Sequence, residues 1–287
     1  MQIIEEEADL FKVSNNYVYG QPKMIDSKII FNGNNNILFC EDGVVLENSY
    51  IRFSGNNSLI FLRKSTHKYR LCFKVFNNST IYIDQDNYFN EPLNAIISEE
   101  CNLLIGKDCM FSTGISMMTS DAHLIYDMDT LERINYSKSI YIGDHIWIGQ
   151  DVTILKNCRI DSGSIIGASS VVPGIEIKNN SIYCGNPAKM VKDRTFWNGA
   201  CVLKWTKPQT EISSRYDTYL SDNTELNTND FIYEYNYLEE LTFNDIENYL
   251  RNNSVFDRLT YLFELAKNSN KNRFVHFKDE KQKVKTI

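Results

Sequence analysis

From Ile142 to Ile177 the chain reads I-G-D-H-I-W, I-G-Q-D-V-T, I-L-K-N-C-R, I-D-S-G-S-I, I-G-A-S-S-V, V-P-G-I-E-I, six hexads in unbroken register. Position one is always Ile or Val: Ile142, Ile148, Ile154, Ile160, Ile166 and Val172. Position five holds Ile146, Val152, Cys158, Ser164 and Ser170, mostly small or β-branched, while Gly143, Gly149 and Gly167 occupy position two. A period of six does not fit a helix of about 3.6 residues per turn. It suits short strands joined by tight corners. Each hexad supplies one flat side of a coil, and three sides close a triangular prism with position-one aliphatics stacked inside. Such a prism buries little until several coils stack, so the reading predicts a mainly β fold, a parallel β-helix.

Working upstream, the repeat loosens. N-N-N-I-L-F (34–39) recurs as N-N-S-L-I-F (56–61), as N-N-S-T-I-Y (77–82) and then as C-N-L-L-I-G (101–106). One coil per repeat, with lengthened corners, accounts for the spacing. Paired Asn suits those corners because Asn tolerates positive φ. The β-helix is expected over 24–194, after an N-terminal segment 1–23, with residues 124–139 as a protruding polar loop that breaks the hexad phase.

Working downstream, the composition changes: no glycine follows Gly199 and no proline follows Pro208. Thr242 with Asp245 predicts an N-capped amphipathic helix bearing Phe243, Ile246, Tyr249 and Leu250. Ser254 with Asp257 predicts a second, bearing Val255, Leu259, Leu262, Phe263 and Ala266. Region 195–287 is thus a C-terminal helical extension ending in a basic tail, Lys271 to Lys285. Phe196, Trp197, Val202, Leu203 and Trp205 form an apolar set expected to pack on the open end of the β-helix.

The chain has 287 residues and a formal net charge of −7, which argues against a nucleic-acid-binding protein. The sequence carries no 18-residue apolar run and no basic-then-apolar leader, so no transmembrane segment is expected and a cytoplasmic location is. The seven cysteines are scattered, odd in number and without a C-x-x-C pair, and read as small buried hydrophobes.

The stretch Ile105 to Lys192 resembles the hexapeptide-repeat acyltransferases, and more narrowly the sugar O-acetyltransferases of galactosides, maltose and capsular polysaccharide. The likeness is carried by I-G-K-D-C-M-F-S-T-G-I, T-S-D-A-H, I-G-D-H-I-W-I-G-Q-D-V-T-I, I-I-G-A-S-S-V-V and G-N-P-A-K. The resemblance implies a left-handed β-helix, acetyl-CoA as co-substrate, a carbohydrate acceptor from a capsule or cell surface, and a homotrimer with sites between subunits. The long loop is then expected to reach a neighbouring subunit.

By the same resemblance His123, in T-S-D-A-H, is the catalytic base, with Asp121 as a candidate to orient it. A sugar hydroxyl is almost wholly protonated at neutral pH, and a neutral imidazole can take its proton as attack proceeds. The backbone N–H of Gln150 matches the family's thioester-oxygen position, and Ala168 a position against the pantetheine arm. Trp147 would flank the coenzyme, while Lys189 and Lys192 match basic positions near its phosphates. Where many relatives carry Thr-Lys after I-G-A-x-S-V-V, Pro173 and Gly174 stand here. His145, at a non-core hexad position, is expected to be a surface corner residue. No metal site is expected: the zinc enzymes on this scaffold need three histidines, and the β-helix core holds His123 and His145. The competing readings are N-acetylation of an amino sugar or sugar nucleotide and a non-catalytic scaffold.

Overall fold

The computed structural model describes residues 1–221, 231–233 and 243–268. Its strands stack into three faces of a prism. The first face holds Lys28–Phe31, Tyr50–Phe53, Leu71–Val75, Leu93–Ile97, Ser116–Met118, Thr153–Leu155 and Val171–Val172. The second runs from Tyr17–Tyr19 through Ile37–Cys40, Leu59–Leu62, Thr80–Ile83, Asn102–Ile105, Ile140–Ile142 and Arg159–Ile160 to Glu176–Ile177. The third holds Tyr88–Phe89, Met110–Phe111, Trp147–Ile148, Ile165–Ile166 and Ile182–Cys184. The chain visits the faces in turn, so each circuit is one coil of the expected parallel β-helix. Parallel pairing starts at Tyr17, ahead of residue 24. At one end Gln2–Ile4 lies antiparallel on Lys28–Phe31, and at the other Lys189–Lys192 lies antiparallel beside Ile182–Cys184.

The hexad positions do what their chemistry requires. Ile142, Ile148, Ile154, Ile160, Ile166 and Val172 are all buried, and so are Ile146, Val152, Cys158, Ser164 and Ser170. At the corners Asn35, Asn57 and Asn78 take φ of 57°, 56° and 56°, the left-handed region Asn adopts at low cost. Their amides form a ladder from coil to coil, Asn35 Nδ2 donating to Asn57 Oδ1 at 2.7 Å and Asn57 Nδ2 to Asn78 Oδ1 at 3.2 Å. Gly149 meets a different demand: a Cβ there would lie 2.7 Å from the Ala168 nitrogen.

Among the described residues four α-helices follow the β-helix: α1 (Lys207–Ile212), α2 (Tyr216–Ser221), α3 (Phe243–Asn252) and α4 (Val255–Asn268). The second, third and fourth strands of the second face read I-L-F-C, L-I-F-L and T-I-Y-I, apolar toward both sides. Strands of that pattern need cover on both faces. Ile246 and Leu250 of α3 and Val255, Leu262 and Leu265 of α4 supply it, packing on Leu59, Phe61, Tyr82, Leu104 and Tyr141. Ser254 caps α4 as expected, its Oγ accepting from the Asp257 N–H at 3.2 Å. Arg258 is 2% exposed and donates to the carbonyls of Asn78 (2.8 Å) and Asn57 and to Thr80 Oγ1 (3.1 Å).

Helices α3 and α4 therefore clothe a side of the prism rather than its end. Of the apolar set expected on that end, Val202 and Leu203 are exposed and Trp197 is buried against a corner. The physical reason lies in the outward residues: the early coils present Phe39, Phe61 and Tyr82, whereas Arg159 and Glu176 occupy the later ones. The cap expected at Thr242 and the tail 271–287 lie outside the described residues. No described helix is long and apolar enough to cross a membrane.

Candidate active site

The chain leaves the coil after Ser116–Met118 and re-enters at Ile140–Ile142. This loop stands at the corner between the first and second faces, its stem closed by the Lys138 N–H donating to the Thr119 carbonyl at 3.1 Å. At the start of the loop Ala122 has φ of 63°, and the His123 N–H donates to the Asp121 carbonyl at 2.8 Å. That is a γ-turn with positive φ, a strained conformation for a residue bearing a Cβ. Strain of this kind persists only where neighbours over-determine it, and here Asn135 does so. Its side chain, in a residue 7% exposed, donates to the His123 carbonyl (2.7 Å) and to Asp121 Oδ2 (3.1 Å), and accepts from the Ile125 N–H (3.0 Å). One amide thus ties both ends of the loop around His123, whose side chain is exposed.

A second layer holds the stem. Arg133 binds Glu99 in a two-point ion pair at 2.8 and 2.9 Å, and Ser137 also donates to Glu99. The Arg133 guanidinium, then the Ser137 hydroxyl, hold the Glu99 carboxyl down to about 2. Asp121 is likewise held below the usual carboxylate range, first by the Lys156 ammonium and then by Asn135. The Asp121 carboxylate is bound by Lys156 and Asn135, and these contacts hold the turn that carries His123. The loop is also less polar than expected, exposing Leu124, Tyr126, Met128, Leu131 and Ile134.

The residues expected to bind the coenzyme gather elsewhere. Gln150 and Ala168 sit exposed at the corner between the third and first faces, joined by the Ser169 N–H donating to the Gln150 carbonyl at 2.7 Å. Trp147 lies on the third face with 41% of its surface exposed. Lys189 and Lys192 are exposed on the strand that closes that face. An exposed indole, a small corner side chain and two ammonium groups on one face and its edge fit a long, partly anionic thioester. The structure does not bring His123 to them within one prism: the strand Thr153–Leu155 separates the Gln150 corner from Lys156, the partner of Asp121. Three extended residues span about 10 Å.

His145 is not the surface residue the hexad position predicted. It is 2% exposed, with Nδ1 at 2.7 Å from Asp108 Oδ2 and Nε2 at 3.1 Å from the Trp197 carbonyl. The Trp197 ring stacks on it at 3.9 Å between centroids and donates Nε1–H to its carbonyl at 3.0 Å. The segment after the G-N-P-A-K turn folds back over this corner, which hexad spacing cannot reveal. Both ring nitrogens are engaged, so His145 is a poor proton acceptor for substrate. Of the seven cysteines read as buried, Cys201 is exposed and Cys72 and Cys184 are half-buried, while Cys40, Cys101, Cys109 and Cys158 are buried. Burial pushes the Cys101 thiol up to about 12 and the Cys158 thiol up to about 11, far from a reactive thiolate. Among the described residues no group of three His, Cys, Asp or Glu side chains is set to hold a metal ion.

Asn135, Glu99, Arg133 and Lys156 were not found by sequence reasoning. They lie in or beside an aperiodic loop, and the one sequence signal for them is the break in hexad phase.

A three-faced parallel β-helix with an exposed histidine on a loop between coils is compatible with an acyltransferase. Comparisons place the chain within that class. It is 32% identical over 165 residues to the polysialic acid O-acetyltransferase of Neisseria meningitidis, covering 58% of this chain and 76% of that protein. Among solved structures it is similar to the polySia-specific acetyltransferase NeuO, with 27% identity, a TM-score of 0.58 and coverage of 74% of this chain and 95% of that one. The polysialic acid O-acetyltransferase OatWY gives 25%, 0.52, 69% and 98% in the same order. No protein-family model matches the chain. The chain belongs to the hexapeptide-repeat O-acetyltransferases, and its activity is the transfer of an acetyl group to a carbohydrate hydroxyl.

Proposed function

We propose that the protein moves an acetyl group from acetyl-CoA to a hydroxyl of a sialic-acid polysaccharide of the cell surface, with His123 as general base. The observation that carries the base assignment is the locked γ-turn: an exposed imidazole on a strained turn held by Asn135. The acceptor rests on the relatives, which are named for polysialic acid. The hydroxyl proton passes to the neutral imidazole as the oxygen attacks the thioester carbon. Negative charge then develops on the carbonyl oxygen, where the Gln150 N–H can meet it. The sulfur leaves as a thiol after taking the proton back from the imidazolium. Trp147, Ala168, Lys189 and Lys192 line the path of the coenzyme, and Asp121 with Asn135 keeps the His123 backbone fixed.

We infer further that the site is completed between copies in a homotrimer. His123 and the Gln150 corner lie at different edges of one prism, and the apolar tip of the loop has no cover within the described residues. The test of the base is substitution. His123→Ala is expected to lower kcat by about 10²–10⁴-fold with folding and acetyl-CoA binding retained. His145→Ala is expected to lower thermal stability instead. A His123→Ala enzyme with near-normal turnover would overturn the assignment.

A further inference from the structure

A cavity of about 1140 Å³ opens along the corner that carries the catalytic loop. Its floor is the stacked corner of successive coils, represented by Asn56, Asn77, Glu99, Lys138 and Asn157. Those are five layers, and at about 4.8 Å per layer the trough runs for roughly 19 Å. One wall is the stem of the loop, with Arg133 and Tyr136. The other is α3, with Asn244, Glu247 and Arg251. The α3 wall is fastened to the loop's exit: Glu247 accepts from Ser139 Oγ at 3.0 Å and from the Tyr141 hydroxyl.

The lining is amide, carboxylate and guanidinium with two surface aromatics, Phe76 and Tyr136, both exposed. Hydroxyl-rich chains are met by such groups: amides and carboxylates for hydroxyls, ring faces for the apolar faces of sugars. The charge has a sign as well. Among the described lining residues Arg133, Lys138, Arg159 and Arg251 face Glu99, Glu100 and Glu247, an excess of one positive charge on a chain whose net charge is −7. Lys138 forms no ion pair among the described residues. A trough of this length exceeds what a single sugar needs, and it passes the stem of the loop that bears His123.

We propose that this trough, walled on one side by the C-terminal helix α3, holds a stretch of the anionic acceptor polymer on one side of the residue being acetylated. The enzyme would then favour long acceptors over short ones. The inference rests on the acceptor and base assigned above and adds a site that neither requires.

The test is the dependence of kcat/KM on acceptor length, measured with sialic acid oligomers of graded length and with polysialic acid. Wild type is expected to gain at least about tenfold from the shortest oligomer to the polymer. Asn244→Trp, which fills the trough from α3, and Lys138→Glu, which reverses its unpaired cation, are each expected to flatten that gain. Lys138→Glu should also weaken its dependence on salt. The two changes sit on separate parts of the trough, so a folding defect in one leaves the other to decide. Acetylation of every oligomer with no gain in length, or a gain that survives both substitutions, would overturn the trough while leaving the proposed function standing. No transfer to sialic acid of any length would instead sink the acceptor assignment, and the trough with it.

Discussion

The β-helix has two halves built to different gauges. From Ile142 to Ile160 one circuit takes 18 residues, whereas Leu59 to Thr80 takes 21 and Thr80 to Asn102 takes 22. On the first two faces the strands of the narrow coils are two or three residues long and those from Lys28 to Ile105 are four or five. The interiors follow. The narrow coils are filled by Ile, Val, Cys and Ser. The wide ones need aromatic rings, with Phe31 stacked on Phe53 at 4.6 Å and Phe89 on Phe111 at 5.0 Å. The outer surfaces diverge as well: wide coils carry outward Phe and Tyr and are clothed by α3 and α4, while narrow coils leave the corner at Gln150 and Ala168 bare. Gauge thus separates the two halves, one keeping a regular open edge and the other giving a platform for helices.

The difference can be broken most sharply in the cores. Phe53→Ala, at a residue with no exposed surface, should cost about 3–5 kcal/mol because a wide coil cannot collapse on the void. Ile154→Val in a narrow coil should cost about 0.5–1.5 kcal/mol. Chemical denaturation of both variants checks the values, and a cost for Phe53→Ala below about 2 kcal/mol would contradict the close packing of the wide core.

The clothing of the wide half is tested next. Arg258→Ala leaves two carbonyls and the Thr80 hydroxyl without their buried donor. The helices should undock at a cost of about 2–3 kcal/mol. Hydrogen exchange should then speed up across 246–265 and stay slow in the strand Asn102–Ile105. Uniform acceleration would mean that helices and β-helix form one cooperative unit.

What the sequence disclosed follows the same division. The hexads fixed the narrow coils almost residue by residue, because one chemical requirement recurs at one spacing. The Asn repeats located the wide coils, since a corner needs positive φ wherever the coil turns. Two things were not legible. The helices' berth depends on outward Phe39, Phe61 and Tyr82, whose strands read as apolar on both sides and do not say what covers them. The support of His123 depends on Asn135, twelve residues further along an aperiodic loop, and on Lys156 in the following coil. Neither partner stands at a spacing that repeats.

A smaller effect concerns pH. Glu99, where the wide half meets the loop, is held down to about 2 from an ordinary value of 4.5 by Arg133 and Ser137. A carboxylate so depressed contributes its full share of loop order above about 4.5. That share is lost as pH falls from there toward about 2. Hydrogen exchange of the stem should accelerate across that window, and Glu99→Gln should remove the dependence. An unchanged profile in the variant would place the acid sensitivity elsewhere.

The central claim is that His123 of one copy works with the Gln150 and Ala168 corner of another. Co-expression of His123→Ala with Ala168→Trp tests it in one assay, since each variant spoils a different half of the site. Every mixed trimer regains one intact site, so random assembly of equal amounts is expected to restore about a quarter of the wild-type activity from two inactive parents. No recovery in verified mixed trimers would contradict the account.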